Sequence, residues 1–320
     1  MIMSLLIALV AGCASALMFA SVISGALISL LLFYLAPLPL MVAALGWGPA
    51  GAAIGAVAAG AGLGAIFGIP YLLVFVLAVA APACWLGHLA LLGRPVTAVS
   101  SDNCAAASLP MTEWYPVGRI LIWIAGFAAL TSLAALGTDG AAMSTALRSG
   151  LLSVIGPRDS TLDADIEQMI DLLVTIAPAA AAMVAITTLT LNLWLAAKIT
   201  ATSDRLPRPW PDLKTAALPP LTLAALPLAL AFCFAGGWPG TVALVVSAAL
   251  LMAYALVGFA VLHTLTLGIK YRAPVLGCTY AVVVVSVYPV LVMVGLGVAD
   301  TIFGFRQRYL RSRPPPAPLA

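Results

Sequence analysis

Polar side chains embedded in long apolar stretches are the first candidates for chemistry. Thr188 and Asn192 lie four apart in "ITTLTLNLWLAAK", one turn apart on a helix. His263 stands in "FAVLHTLTLGIK", and Tyr280 and Tyr288 follow in "GCTYAVVVVSVYPV". Polar groups are costly in hydrocarbon, so they mark binding or relay positions by default. These five could line a pocket that takes a small polar solute between helices. The competing reading is plain helix–helix hydrogen bonding, worth about 1 kcal/mol or less per pair.

A second group is acidic. Asp163, Glu167 and Asp171 fall four apart, a stripe that could gather a cation. The spacing of a calcium loop is absent, and Ile166, Met169, Ile170 and Leu173 form an apolar stripe beside them. The segment therefore reads as a surface helix with one solvated face, capped by Ser160 three residues before Asp163.

Catalytic constellations are missing. The chain has no HExxH, GxSxG, Walker loop or CxxC. Its two histidines are far apart, and Cys13, Cys84, Cys104, Cys233 and Cys278 form no paired framework, most of them sitting in apolar runs. No catalytic residue, metal site or cofactor is expected, and the chain is read as something other than an enzyme. Any pumping would need a partner or an ion gradient.

What must position such residues is a membrane bundle. Of 320 residues 63% are hydrophobic and only 8% charged, too few to clothe a soluble domain. The first Asp, Glu, Lys or Arg is Arg94. About 20 apolar residues in a helix cross a bilayer, so several crossings precede it. Lipid requires internally satisfied backbone, and the apolar runs do not alternate, so the spans are helices. The expected spans are Met3–Ala20, Leu27–Leu45, Pro49–Phe67, Pro70–Leu92, Val117–Leu136, Leu172–Ala197, Ala216–Ala235, Thr241–Gly268 and Pro274–Ala299. A loop is expected over Gly93–Pro116.

Net charge is +3, which reads as topology information and not as a nucleic-acid surface. The basic loop Lys198–Lys214 belongs on the cytoplasmic side, the acidic region 137–171 outside, and the N-terminus inside. Nine crossings would leave Arg306, Arg308, Arg311 and Arg313 on the wrong side. Either the last stretch bends back at Pro289, or one span is not a full crossing, or the rule fails; eight and nine spans both fit. The bundle is taken as 1–305, followed by a basic, Pro-rich tail, 306–320, expected to be disordered. Asp300 is expected to cap a short terminal helix and pair with Arg306. "VAGC" ending at Cys13 fits a lipoprotein box, but the leader lacks a basic start, so an uncleaved first span is expected.

The third span carries Gly48, Ala52, Ala56, Gly60, Gly64 and Gly68 four apart, with Gly51, Gly55 and Ala59 beside them. Such a face lets backbones approach closely in lipid. It is read as packing inside this chain. The first span repeats the device with Ala8, Gly12 and Ala16, and at the rim of a bundle that face could receive a partner. Proline interrupts several spans, most densely in "APLPL" with Pro37 and Pro39; broken helices free carbonyls that transporters use as ligands.

Four segments in order resemble the DUF2232, or YybS-like, membrane protein family. They are "FYLAPLPLMVAALGWGPAGAAIGAVAAG", then "IEQMIDLLVTIAPAAAAMVAITTLTLNLWLAAKI" with Pro178 and Asn192, then "GFAVLHTLTLGIKYRAP" and "YPVLVMVGLGVADTIFGFRQR" with His263, Pro289 and Asp300. The front of that family is similar to the S components of energy-coupling-factor vitamin transporters. Their first helix docks a coupling protein through small residues four apart, and the resemblance implies that face at Ala8, Gly12 and Ala16. The extra spans and the acidic segment depart from that pattern. The expectation is thus an all-α, polytopic bundle of eight or nine spans in a bacterial inner membrane, with an S-component-like front. It is read as a transporter-like module that binds a small-molecule solute and works with a membrane coupling protein. The alternative is a non-transporting scaffold or assembly factor. A cavity of about 300 Å³ or more near Asn192 and His263 favours the former, a dry interior the latter.

Overall fold

The computed structural model describes residues 2–96, 111–137, 140–155, 164–212, 214, 216–286 and 288–311. The chain runs α1 (Ile2–Ala20), α2 (Leu27–Leu35), α3 (Pro37–Trp47), α4 (Pro49–Phe67), α5 (Ile69–Phe75) and α6 (Ala81–Leu91). After these come β1 (Gly93–Val96), β2 (Met111–Trp114), α7 (Val117–Gly137), α8 (Gly140–Ile155) and α9 (Ala164–Thr202). The order closes with α10 (Leu221–Phe232), α11 (Gly237–Leu265), α12 (Arg272–Val285), α13 (Tyr288–Phe303) and α14 (Phe305–Arg311). Among the described residues, 7 helices are long and apolar enough to cross a bilayer, or 8 if the bent pair α13–α14 is one span.

Most span expectations hold, and α4 has the expected bounds. Local chemistry explains the departures. Pro37 lacks the N–H that Phe33 O would accept in a continuous helix, so the second span breaks there; the Ala36 N–H bonds Phe33 O instead, at 3.2 Å. A π-helical turn, Val76–Ala80, joins α5 to α6. The seventh span starts late, at Leu221, because Pro219 and Pro220 precede it, leaving α10 too short to cross alone. The ninth divides into α12 and α13 at Ser286, whose backbone is extended. Pro289 is not the bend: it sits in the first turn of α13, where its missing N–H is harmless. The sharp turn comes later, a 65° bend between α13 and α14 at Gly304, whose φ is 65°. The tail is therefore helical through Arg311, and Arg306 is buried, contrary to a disordered start at 306. Residues 312–320, and with them Arg313, lie outside the described residues, as do Ser160 and Asp163.

The expected loop after α6 instead begins and ends as an antiparallel ribbon, with Gly93 opposite Trp114 and Arg94 opposite Glu113. Gly93 permits that pairing, since a Cβ there would stand 2.7 Å from Thr112 Cγ2.

The chain divides into two compact units. The first comprises Met1–Phe127 and Thr187–Pro211, the second Ala128–Ile186 and Asp212–Ala320. In the first unit α1 lies on α4 with their backbones touching. A Cβ on Gly12 would strike the Gly55 carbonyl, and one on Gly55 would strike the Ala8 carbonyl. Ala8 and Gly12 are buried in this contact, so the face expected to receive a partner is filled from within the chain; Ala16 is half-buried. Ala52 joins Ala11, Ala43 and Ala44 in a buried alanine cluster, and Ala56 is buried nearby on α4. Gly60 faces Phe75 and Val76, and Gly64 faces Leu72. Gly48 and Gly68 do a different job from packing: with φ of 99° and 91° they separate α4 from its neighbours. The outer side of α1, with Met3, Leu6, Val10 and Leu17, is exposed, as suits a helix against lipid.

The second unit uses the same device on a helix pair with no conspicuous small-residue row. A Cβ on Gly258 of α11 would strike the Met293 carbonyl of α13, and one on Gly297 would strike the Tyr254 carbonyl. Tyr254, fully buried, shares a 2.7 Å hydrogen bond with the Thr222 hydroxyl of α10.

Candidate functional site

Asn192 carries the clearest polar signature of the first unit. It is 1% exposed, and its Nδ2 donates to Tyr34 O at 2.8 Å and to Thr188 O at 2.9 Å. Tyr34 belongs to the last turn of α2, where the Pro37 break leaves carbonyls short of helical donors. Two carbonyl acceptors fix which end of the amide carries nitrogen. The other end, Oδ1, is buried with no donor among the described residues. An unmet acceptor in such a place costs on the order of 1–3 kcal/mol, so it marks where a ligand hydrogen-bond donor or a water would bind. Thr188 contributes its backbone carbonyl to Asn192.

The remaining candidates from the sequence belong to the second unit. His263 Nε2 and the Tyr280 hydroxyl are 2.7 Å apart, and the Tyr280 ring stacks on Phe259 with centroids 5.5 Å apart. Arg272 reaches the His263 carbonyl at 3.5 Å, while its Nε is buried without a partner among the described residues. Tyr288 is 79% exposed. The five candidates thus fall into two units, and Asn192 and His263 each have their own partners.

The expected pairing of Asp300 with Arg306 is present and more elaborate than a helix cap. Asp300 Oδ1 accepts the Arg306 backbone N–H at 2.9 Å, and Oδ2 accepts both Nε and Nη2 at 2.7 Å. The remaining nitrogen, Nη1, donates to Ala216 O at 2.8 Å and Lys214 O at 3.3 Å. Both side chains are 5% exposed. With every charge met, this network fastens α14 to the segment before α10; its chemistry is that of a lock.

The acidic stripe meets a cation of the chain itself. Arg148 on α8 bonds Glu167 at 2.8 Å and also Asp171. No group of three or more metal-ligating side chains occurs among the described residues.

Sequence reasoning passed over a basic, aromatic end of the first unit. Arg205 lies over the Trp47 ring at 5.7 Å, Lys198 over Trp210 at 5.4 Å and Arg208 over Trp114 at 6.0 Å. Arg208 also donates to Ala90 O at 3.1 Å, and burial lowers its pKa from the ordinary arginine value. A cleft of about 460 Å³ opens there between the ribbon and the start of α7, lined by Arg94, Glu113, Trp114, Tyr115 and Arg119 among others. A second hollow, about 370 Å³, is lined by Pro49, Ala81, Cys84, Trp85, His88 and Phe127. Neither is lined by Asn192, His263 or Tyr280. The signal for the basic end was the repeated placing of Trp near Arg or Lys where spans end, a pattern of membrane interfaces.

A family model described as a predicted membrane protein, DUF2232, matches residues 13–301 of the chain. No curated protein and no solved structure matches it.

Proposed function

The chain belongs to the DUF2232 family of predicted membrane proteins, and from that premise we propose that it is a non-enzymatic, transporter-like module of a bacterial inner membrane. In this reading the N-terminus is cytoplasmic, the region 137–171 is extracytoplasmic, and a small solute binds within the first unit, in concert with a membrane partner. The observation that carries it is Asn192: buried beside a proline-broken helix, it presents an acceptor that nothing among the described residues satisfies. Half-broken helices with bare carbonyls are a recurrent way to hold polar solutes in the midst of hydrocarbon. The likeness to S components supports the reading from sequence pattern alone. Because Ala8 and Gly12 are covered by α4, a coupling partner would dock on another surface.

Native mass spectrometry of the gently extracted protein tests this. Wild type is expected to carry a small-molecule adduct, absent from an Asn192→Leu variant that retains its fold. A bare wild-type mass, with Asn192→Leu as stable as wild type, refutes it. The rival reading, a scaffold or assembly factor, draws on the touching backbones of α1 and α4 and on the placing of the two described cavities away from Asn192.

A further inference from the structure

We infer that the cleft between the β1–β2 ribbon and the start of α7 binds a phosphate-bearing anion, with the headgroup of an anionic membrane lipid as its source. This site stands apart from Asn192 and does not depend on the solute reading.

Three observations converge. First, the cleft holds two arginines in different states. Arg94 is committed to Glu113, with contacts of 2.6 and 2.7 Å. Arg119 is exposed, and its side chain meets no carboxylate among the described residues. A free guanidinium beside a neutralised one leaves the cleft a net positive charge, and guanidinium geometry suits phosphate oxygens. Second, the wall is amphipathic in the manner of a headgroup site. Trp114 and Tyr115 offer ring surface with polar tips, and Pro116 leads into α7, whose N-terminal end also favours an anion. Third, the cleft belongs to a larger positive field. Arg208 rests on the Trp114 ring that lines it, and Arg205 and Lys198 rest on Trp47 and Trp210. Trp rings capped by cations at the ends of apolar spans lie at headgroup depth, where the local supply of phosphodiesters far exceeds that of soluble phosphate. A cleft of about 460 Å³ holds a phosphoglycerol headgroup with room to spare.

The test uses the full chain in phosphatidylcholine micelles doped with phosphatidylglycerol, read by native mass spectrometry. Wild type should retain phosphatidylglycerol in preference to phosphatidylcholine. Arg119→Gln should weaken that retention by about tenfold or more, as loss of one charge-assisted contact implies, with Arg119→Lys recovering part of it. Arg311→Gln, in the other unit, should change nothing. Inorganic phosphate and glycerol phosphate are added as competitors. If they displace the lipid only at large excess, the source is the headgroup; if either binds wild type but not Arg119→Gln as tightly as the lipid, the anion site stands and its source is soluble. Equal retention of both lipids by wild type, or equal retention of phosphatidylglycerol by wild type and Arg119→Gln, overturns the proposal.

Discussion

Two glycines of one helix, Gly55 and Gly62 of α4, should respond to the same substitution with opposite signs. Alanine in a helix interior gains about 0.5–1 kcal/mol over glycine at either position. At Gly62 nothing lies within 4 Å of an added Cβ, so Gly62→Ala should keep that gain. At Gly55 the Cβ would strike the Ala8 carbonyl and stand 3.5 Å from Ala8 Cα. The obstacle is backbone, so no rotamer change relieves it. An ordinary C···O approach is about 3.3 Å or more, so α1 must withdraw by on the order of 1 Å. Dispersion along the whole contact then weakens. Overpacking of this kind costs about 1–3 kcal/mol. The propensity gain is common to both variants and cancels in their comparison, so they should differ by about 1–3 kcal/mol, roughly five- to 150-fold in the unfolding equilibrium. The assay is unfolding of the purified protein in mixed micelles by rising SDS fraction, followed by tryptophan fluorescence. If Gly55→Ala proves as stable as Gly62→Ala, the direct contact of α1 and α4 backbones is wrong, and with it the account of why this face is bare.

Two further outcomes follow from the charged groups. Arg306→Met strands a buried carboxylate and two carbonyls and should cost about 3–5 kcal/mol, or free α14 to proteolysis, whereas Asp300→Leu with Arg306→Met should recover most of that loss; equal stability of the single and double variants would show that the pair does not hold the segment. Arg148→Ala removes a bridge whose three side chains are 37%, 56% and 57% exposed, so water and salt screen it; the loss should be about 1 kcal/mol or less and vanish at high ionic strength, and a larger, salt-independent loss would contradict an exposed α8–α9 contact.

The amino-acid order alone determined that this is a helical membrane protein and where most of its spans lie. Hydropathy and backbone satisfaction in lipid act locally, and each span carries its own evidence, as the agreement at α4 illustrates. It also carried the pairing of Asp300 with Arg306, because six residues and one tight glycine turn bring those groups together, whereas the bonds of Arg306 to Lys214 and Ala216 come from distant chain. Breaks at proline were readable in kind but not always in place: Pro37 breaks its span, while Pro289, at a helix start, breaks nothing.

Which surfaces meet was decided only by the tertiary structure. The spacing of Ala8 and Gly12 announced a close approach but could not say whether another protein or Gly55 would make it, since a bare face fits either. Gly258 and Gly297 make equally close contacts from an unremarkable context, because one glycine per helix suffices once the partner backbone is aligned. Asn192 was legible as a polar residue in a span; that its amide would reach the Tyr34 carbonyl, 158 positions away, and leave one oxygen unmet depends on packing between elements far apart in the chain. Local pattern governs burial and backbone hydrogen bonding, which are properties of a segment, whereas contact is a property of pairs, and pairs are chosen by how the assembled helices fill space.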